Sequence, residues 1–423
     1  MAKKQALKFQ QIVPAAPAEV YLALTNATAL REWFCDVVHI EPHKGGRVYF
    51  AWNQGYNTVG EITKLTLDKK VAYTWLGRGE PGPTSVEISI APKKGGSSVT
   101  VIHSGLGAGK KWKAPEAAIR LGWQRGLENL ASVFDTGHDL RLTMRPMLGV
   151  SGVEEVTPEM AQRLGVPVQR GVRIDGTVPG MGAEAAGLQK DDVLVSVGGQ
   201  KISSWPSLTA VLAAHRAGEK LPVSLYRGAE KRKETMELSK RPLPEIPATA
   251  AELAETVRKI YEQTDAELGQ ALASISAEAA NSRPRAGEWN VKEVLAHLLL
   301  GERDNQVFIS ELVAGDERTS SNFFGNSQLR TAATAETFGS ARGLFEALKH
   351  SETETVAMLA GLPEEFVKRK RSYWRLAMSV VQTADHTHEH LRQIAVAAAP
   401  PEPVNAAEPA AVVESDQNPV EAP

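Results

Sequence analysis

The chain has 423 residues, enough for about two to four domains of ordinary size. Hydrophobic residues make up 42% and charged residues 23%, and the formal net charge is -2, so no global pull toward nucleic acid or an anionic membrane surface is expected. The single cysteine, Cys35, excludes an intrachain disulfide and suits a reducing compartment.

The opening stretch, MAKKQALKFQQIV, has lysines with no apolar run behind them and does not read as a secretory signal. No stretch has the apolar length that crosses a bilayer, so the expectation is a cytoplasmic protein with no membrane partner. From 1 to 137, short segments such as RVYFAW, TVGEITKL, KVAYTW, TSVEISIA and SSVTVIHS alternate or are rich in β-branched and aromatic residues, as strands of a half-buried antiparallel sheet are. Residues 17–33 read as helix. Ile119, Trp123, Leu127, Leu130 and Phe134 make one apolar stripe on a later, longer helix suited to lying across a sheet. The segment is an α+β helix-grip domain. GLGAGKK (105–111) lacks the spacing and the Ser or Thr of a phosphate-binding loop and reads as a connection.

The stretches VPAAPAEVYLALTNATALREWF, GGRVYFAW, VAYTW, VTVIHSGLG and GWQRGLENL resemble the SRPBCC superfamily. Within it, they are most similar to the C-terminal domain of activators of the heat-shock-ninety ATPase. The resemblance implies a cavity for an apolar small molecule between long helix and curved sheet, with Trp52, Trp75 and Trp123 as candidates to line it.

From 141 to 240 the pattern changes. PGMGAEAAGLQKDDVLVSVGGQKI gives a turn, a short helix and a strand ending in a Gly-Gly hairpin. A helix over 205–216 follows, with Ser204 as N-cap and Pro206 in the first turn. This segment resembles a PDZ domain of HtrA-type proteases, a mostly-β module. The resemblance implies a peptide or protein C-terminus as partner, its carboxylate held by the MLGV loop at Leu148, Gly149 and Val150. No Gly-Asn/Asp-Ser-Gly-Gly segment accompanies it. FGNSQL (324–329) begins like one, but Gln328 and Leu329 break it, so the chain is not expected to be a serine protease.

After the proline-rich linker SKRPLPEIPATA, residues 248–397 hold four long patterned segments, 248–276, 290–314, 334–361 and 371–397, which predict an all-α four-helix bundle. On the last, His386 and His390 lie about 40° apart on one face, while His388 turns about 200° away and reads as a solvated surface residue. His297, on the stripe with Val294, Gly301 and Phe308, offers a third imidazole from another helix. Three neutral imidazoles make an open metal site that suits zinc, nickel or iron. Asp304, seven residues after His297, is a candidate to support that site or to act as a base. The motifs GEWNVKEVLAHL and HTHEHLRQI resemble the DinB family of metal-binding four-helix bundles. That family's thiol-transferase relatives imply a metal-activated low-molecular-weight thiol.

VKRKRSYWR (367–375) has five bases at a helix start, against the helix dipole, and reads as a solvated loop without nucleic-acid binding. Residues 398–423, acidic and rich in proline and alanine, read as a disordered tail. Two functions stay open: a multidomain binding protein holding an apolar ligand, a peptide terminus and a divalent metal, or a metal-dependent transferase or hydrolase acting in the bundle.

Overall fold

A computed structural model describes residues 5–285, 287–318 and 327–398. The tail beyond 398 and part of FGNSQL lie outside the described residues. The chain packs into two compact units. Of the described residues, one takes 5–260, 303–318 and 353–383, and the other takes 261–285, 287–302, 327–352 and 384–398.

The chain opens with β1 (Gln5–Val13), α1 (Pro17–Thr25), α2 (Ala27–Arg31), β2 (Val37–Ile40), β3 (Arg47–Ala51), β4 (Asn57–Thr66), β5 (Lys70–Gly77), β6 (Thr84–Lys93), β7 (Gly96–Leu106) and α3 (Lys110–Asp135). The single helix expected over 17–33 is two, because Asn26 leaves the helical region and its side chain caps α2 by accepting from the Ala29 amide at 2.9 Å. The strands form one antiparallel seven-stranded sheet in the order β1-β7-β6-β5-β4-β3-β2. Helix α3 buries Ile119, Trp123, Leu127 and Leu130 in the domain's core, which also takes in Phe50, Ile62, Ile88 and Val101. The stripe read from the sequence is therefore the face that packs.

After α4 (Leu140–Thr143) come β8 (Pro146–Met147), β9 (Val153–Glu155), α5 (Pro158–Leu164), β10 (Val172–Ile174), α6 (Gly182–Ala185), β11 (Val193–Val197), β12 (Gln200–Lys201), α7 (Trp205–Ala213), β13 (Lys220–Arg227), β14 (Glu230–Glu237) and β15 (Ser239–Lys240). The β11–β12 turn is the Gly-Gly hairpin. Gly198 and Gly199 have φ of 60° and 78°, the mirror-image turn that only glycine adopts without strain. The main sheet runs β14-β13-β11-β10-β9, which leaves β9 at its edge, and β8 pairs with β15.

The helical segment holds α8 (Ala250–Ala273), α9 (Ala277–Asn281), α10 (Val291–Ala314), α11 (Ser327–Phe338), α12 (Ala341–Ala360), α13 (Glu364–Lys368), α14 (Lys370–Val380) and α15 (Thr383–Ala398). Two segments expected to be continuous are each divided. Gly339, at φ 70°, separates α11 from α12. The helix expected over 371–397 breaks at Val381–Gln382, where the Thr383 hydroxyl donates to the Val380 carbonyl at 3.0 Å. Within the second unit, Leu268, Val294, Leu295, Leu298, Leu344 and Ile394 form the core.

The stretch expected as a solvated loop is the end of α13 and the start of α14, and its bases are occupied. In the first unit, Arg371 donates to Glu32, Arg375 pairs with Glu317, Arg369 donates to the Val313 carbonyl and Lys370 to the Asp135 carbonyl. Bases at a helix N-terminus cost at most about 1 kcal/mol. Charge-assisted hydrogen bonds contribute about 1.5–3 kcal/mol each, so the pairing wins.

Candidate metal centre and neighbouring sites

The bundle end of the second unit starts from a reciprocal cap. The Glu293 amide donates to Asn290 Oδ1 at 3.0 Å, and the Asn290 amide donates to Glu293 Oε2 at 3.0 Å. That cap fixes where α10 begins and hence the phase of His297, which sits between buried Ala296 and Leu298. On α15, His386 and His390 share a face, as their four-residue spacing requires.

These three histidines meet. His297 Nε2 lies 3.3 Å from His386 Nε2, and His386 Nε2 lies 3.0 Å from His390 Nε2. Each offers one ring nitrogen, and all three atoms lie within 4.8 Å of one another. Nitrogens about 2.0–2.1 Å from a tetrahedral ion stand about 3.3 Å apart, so the donor set fits a small divalent cation.

The tautomer at His390 follows from its neighbour. Gln393 Oε1 can only accept, so His390 Nδ1, 2.8 Å away, carries the proton and Nε2 is left as a ligand atom. Desolvation first, then the charge of His390, holds His386 below the usual histidine pKa and so favours its neutral, metal-binding form. Trp289 stands beside His297, with ring centroids 4.9 Å apart. A cavity of about 600 Å³, lined by Trp289, His297, His390, Arg392 and Gln393 among others, opens beside two of the three histidines.

His388 points away from the triad, as its helical phase predicts. It is half-buried rather than solvated, and its Nε2 lies 2.9 Å from Glu267 on α8. Asp304 is half-buried and falls in the first unit. Sequence reasoning missed Gln393 and Trp289. The only available signal for Gln393 was its position one helical turn after His390.

In the first unit, Trp75 and Trp123 are buried in the helix-grip core and Trp52 packs against it. Ring centroids are 6.4 Å apart for Trp52–Trp75 and 6.2 Å for Trp75–Trp123. Each indole N–H has a protein acceptor: the Phe34 carbonyl for Trp52, Tyr56 and Glu80 for Trp75, and His103 for Trp123. Because Trp123 Nε1 can only donate, His103 accepts at Nδ1, and its protonated Nε2 faces the Thr84 hydroxyl at 2.8 Å. Burial pushes the His103 pKa down to about 4, so the ring is neutral at pH 7. The three tryptophans pack in or against this core, with each indole N–H on a protein acceptor.

At the MLGV loop, Leu148 is buried, and its carbonyl accepts from the Ala183 amide at 3.0 Å. The Gly149 carbonyl accepts from Val178 at 2.8 Å, and Val150 bridges to Thr177. Gly149 has φ 80°, and a Cβ there would stand 2.3 Å from Met181 Cβ, so both conformation and space require glycine.

Comparison with known families matches three models in order along the chain. They are Activator of Hsp90 ATPase homolog 1-like protein over residues 14–135, PDZ domain over 144–226 and DinB superfamily over 260–394. Among curated proteins, the chain is 33% identical over 94 residues to periplasmic serine endoprotease DegP of Escherichia coli, covering 22% of this chain and 20% of that protein. It is 31% identical over 94 residues to a probable periplasmic serine protease do/HhoA-like of Haemophilus influenzae, covering 22% and 20%. It is also 30% identical over 146 residues to magnetosome formation protease MamE of Paramagnetospirillum magneticum, covering 33% and 18%. The chain thus spans about a fifth of the length of these relatives. Similar solved structures include protein MLL2253 from Mesorhizobium loti, at 20% identity and TM-score 0.29, covering 31% of this chain and 97% of that one. The Aha1 dimer from Colwellia psychrerythraea matches at 20% identity and TM-score 0.28, covering 31% and 96%.

Proposed function

We propose that this chain, with an Hsp90-activator-like helix-grip domain, a PDZ domain and a DinB-superfamily bundle in that order, is a cytoplasmic multidomain binding protein whose bundle holds one divalent metal ion through His297, His386 and His390. The observation that carries this reading is the convergence of three imidazole nitrogens from two helices within 4.8 Å. Zinc, nickel and iron all suit an all-imidazole donor set. The lone cysteine suits a reducing compartment, which supports the cytoplasmic part of the proposal.

Purified protein should carry about one equivalent of metal by elemental analysis, and His390→Ala should lose it while keeping its helical circular-dichroism signal. Metal content unchanged in the variant removes the assignment.

For the PDZ domain we propose capture of a peptide C-terminus at the Leu148–Val150 loop, supported by the left-handed Gly149 and the edge position of β9. Peptides selected from a C-terminal library should lose binding on amidation, and Gly149→Ala should weaken binding at least tenfold, about the contribution of one charge-assisted contact. Amidated peptides binding as well as free acids would retire this assignment. An apolar small molecule at the helix-grip domain belongs to the same reading, supported by the aromatic density around Trp52, Trp75 and Trp123.

A second reading, a metal-dependent transferase or hydrolase, is favoured by the cavity of about 600 Å³ beside the triad, a size typical of small-molecule sites. A bound divalent ion supplies Lewis acidity, lowering the pKa of a coordinated water or thiol. The chain's own part is to present three neutral nitrogens, to fix the His390 tautomer through Gln393 and to wall the site with Trp289. Turnover that follows metal content and is lost in His390→Ala would favour the enzyme over the binding protein.

A further inference from the structure

We infer that the cavity beside the histidine triad selects small anionic ligands, with Arg392 reading the anionic group and Trp289 forming the wall for the ligand's organic part. The inference rests on the metal reading above and names the class of ligand that site takes.

Two charged residues line the cavity, Arg392 and Glu288. Among the described residues, no hydrogen bond or ion pair holds the Arg392 side chain. Elsewhere in the second unit a comparable arginine is occupied: Arg283 donates to the Glu288 carbonyl and also pairs with Glu293. An exposed guanidinium on a cavity wall has its donors ready for a planar carboxylate or a phosphate.

The electrostatics point the same way. Three imidazoles bring no negative charge, so an ion held by them keeps its full positive charge toward the cavity. Glu288 offsets one positive charge of the total, and the balance stays positive. A ligand that donates an atom to the ion and carries an anion a few bonds away meets favourable charge at both ends. Arg392 follows His390 by two residues, so its Cβ leaves the helix about 200° round from the imidazole, and the length of its side chain lets it line the cavity. The Trp289 ring, 4.9 Å from His297, supplies a flat apolar surface near the proposed ion. Val396, 60% exposed, extends that surface, which gives this outward-facing apolar side chain a use.

The test uses the full chain loaded with cobalt(II), whose visible absorption reports coordination and gains a charge-transfer band when a thiolate binds. Three probes share one thiol and differ in the tail: 3-mercaptopropionate, 2-mercaptoethanol and cysteamine. The band should saturate at about tenfold lower concentration with 3-mercaptopropionate than with cysteamine. Arg392→Ala should erase that preference and leave cobalt stoichiometry unchanged. Equal saturation by all three overturns the inference, as does a preference for cysteamine that disappears in Glu288→Gln. Failure to bind cobalt at all overturns the metal reading instead. The anion preference is then read on the metal-free chain, from the fluorescence change that the same compounds cause and that Trp289→Phe removes. No difference among them there also overturns it.

Discussion

Glu352→Gln should stabilise the second unit at neutral pH, and the gain should grow as the solution becomes more alkaline. Glu352 on α12 is 5% exposed and hydrogen-bonds the carboxyl of Asp265 on α8. Among the described residues, Glu352 Oε2 and Asp265 Oδ1 find no hydrogen-bond partner. Glu302 completes an acidic trio, with the Tyr261 hydroxyl 3.0 Å from each of its oxygens, and Lys349 is the cation that acts on the pair. Burial, then the charges of Asp265 and Glu302, push the Glu352 pKa up to about 10, and Asp265 is also raised. The two carboxyls therefore titrate as a pair, sharing a proton over a wide range. For an acid raised in the folded state, the stability it contributes is complete below the unfolded pKa near 4.5 and is lost as pH rises toward the folded value. By pH 7 the loss is on the order of 3 kcal/mol, since one unit corresponds to about 1.36 kcal/mol. Glutamine keeps the shape and the hydrogen bond but cannot ionise. Denaturation midpoints from pH 5 to 9 should fall with pH in the wild type and flatten in the variant, with a larger gain at pH 8 than at pH 7, on the order of 3–5 kcal/mol. No gain at pH 8 would mean that the pair is solvated.

Local signals in the sequence carried far and stopped at long-range pairing. The 386/390 spacing is local, and helix geometry alone places those side chains on one face. The Gly-Gly hairpin is local as well. In contrast, nothing in the linear pattern marks Asp265, Glu302 and Glu352, because it does not say that three helices turn them toward one another. The same holds for VKRKRSYWR, whose partners Glu32 and Glu317 lie 339 and 58 residues away. A run of bases signals charge, and the sequence leaves its counter-charge unspecified. The break at Val381–Gln382 has neither glycine nor proline to announce it. Trp52, Trp75 and Trp123 were legible as aromatics of a sheet domain, but their mutual packing depends on which strands are neighbours.

Loss of that counter-charge carries the largest expected cost in stability. Glu32 in the first unit is 4% exposed and accepts from the Arg371 Nε–H and, at 2.6 Å, from the Ser372 hydroxyl. Arg371 also stacks over Phe134, 4.6 Å from the ring centroid. A buried ion pair gains little net stability over an apolar pair, yet removing one partner leaves the other charged, desolvated and alone. Arg371→Ala should therefore cost about 3–5 kcal/mol in the denaturation of the full chain, well above the roughly 0–1 kcal/mol of an exposed pair. Glu32→Gln, which keeps the Ser372 contact and the shape, should cost less than Glu32→Ala. The double variant Glu32→Ala with Arg371→Ala should recover part of the loss, because no uncompensated charge remains. If Arg371→Ala changed stability by less than about 0.5 kcal/mol, Glu32 would have to be solvated or protonated, and the bases of α14 would be the surface charges that their sequence suggests.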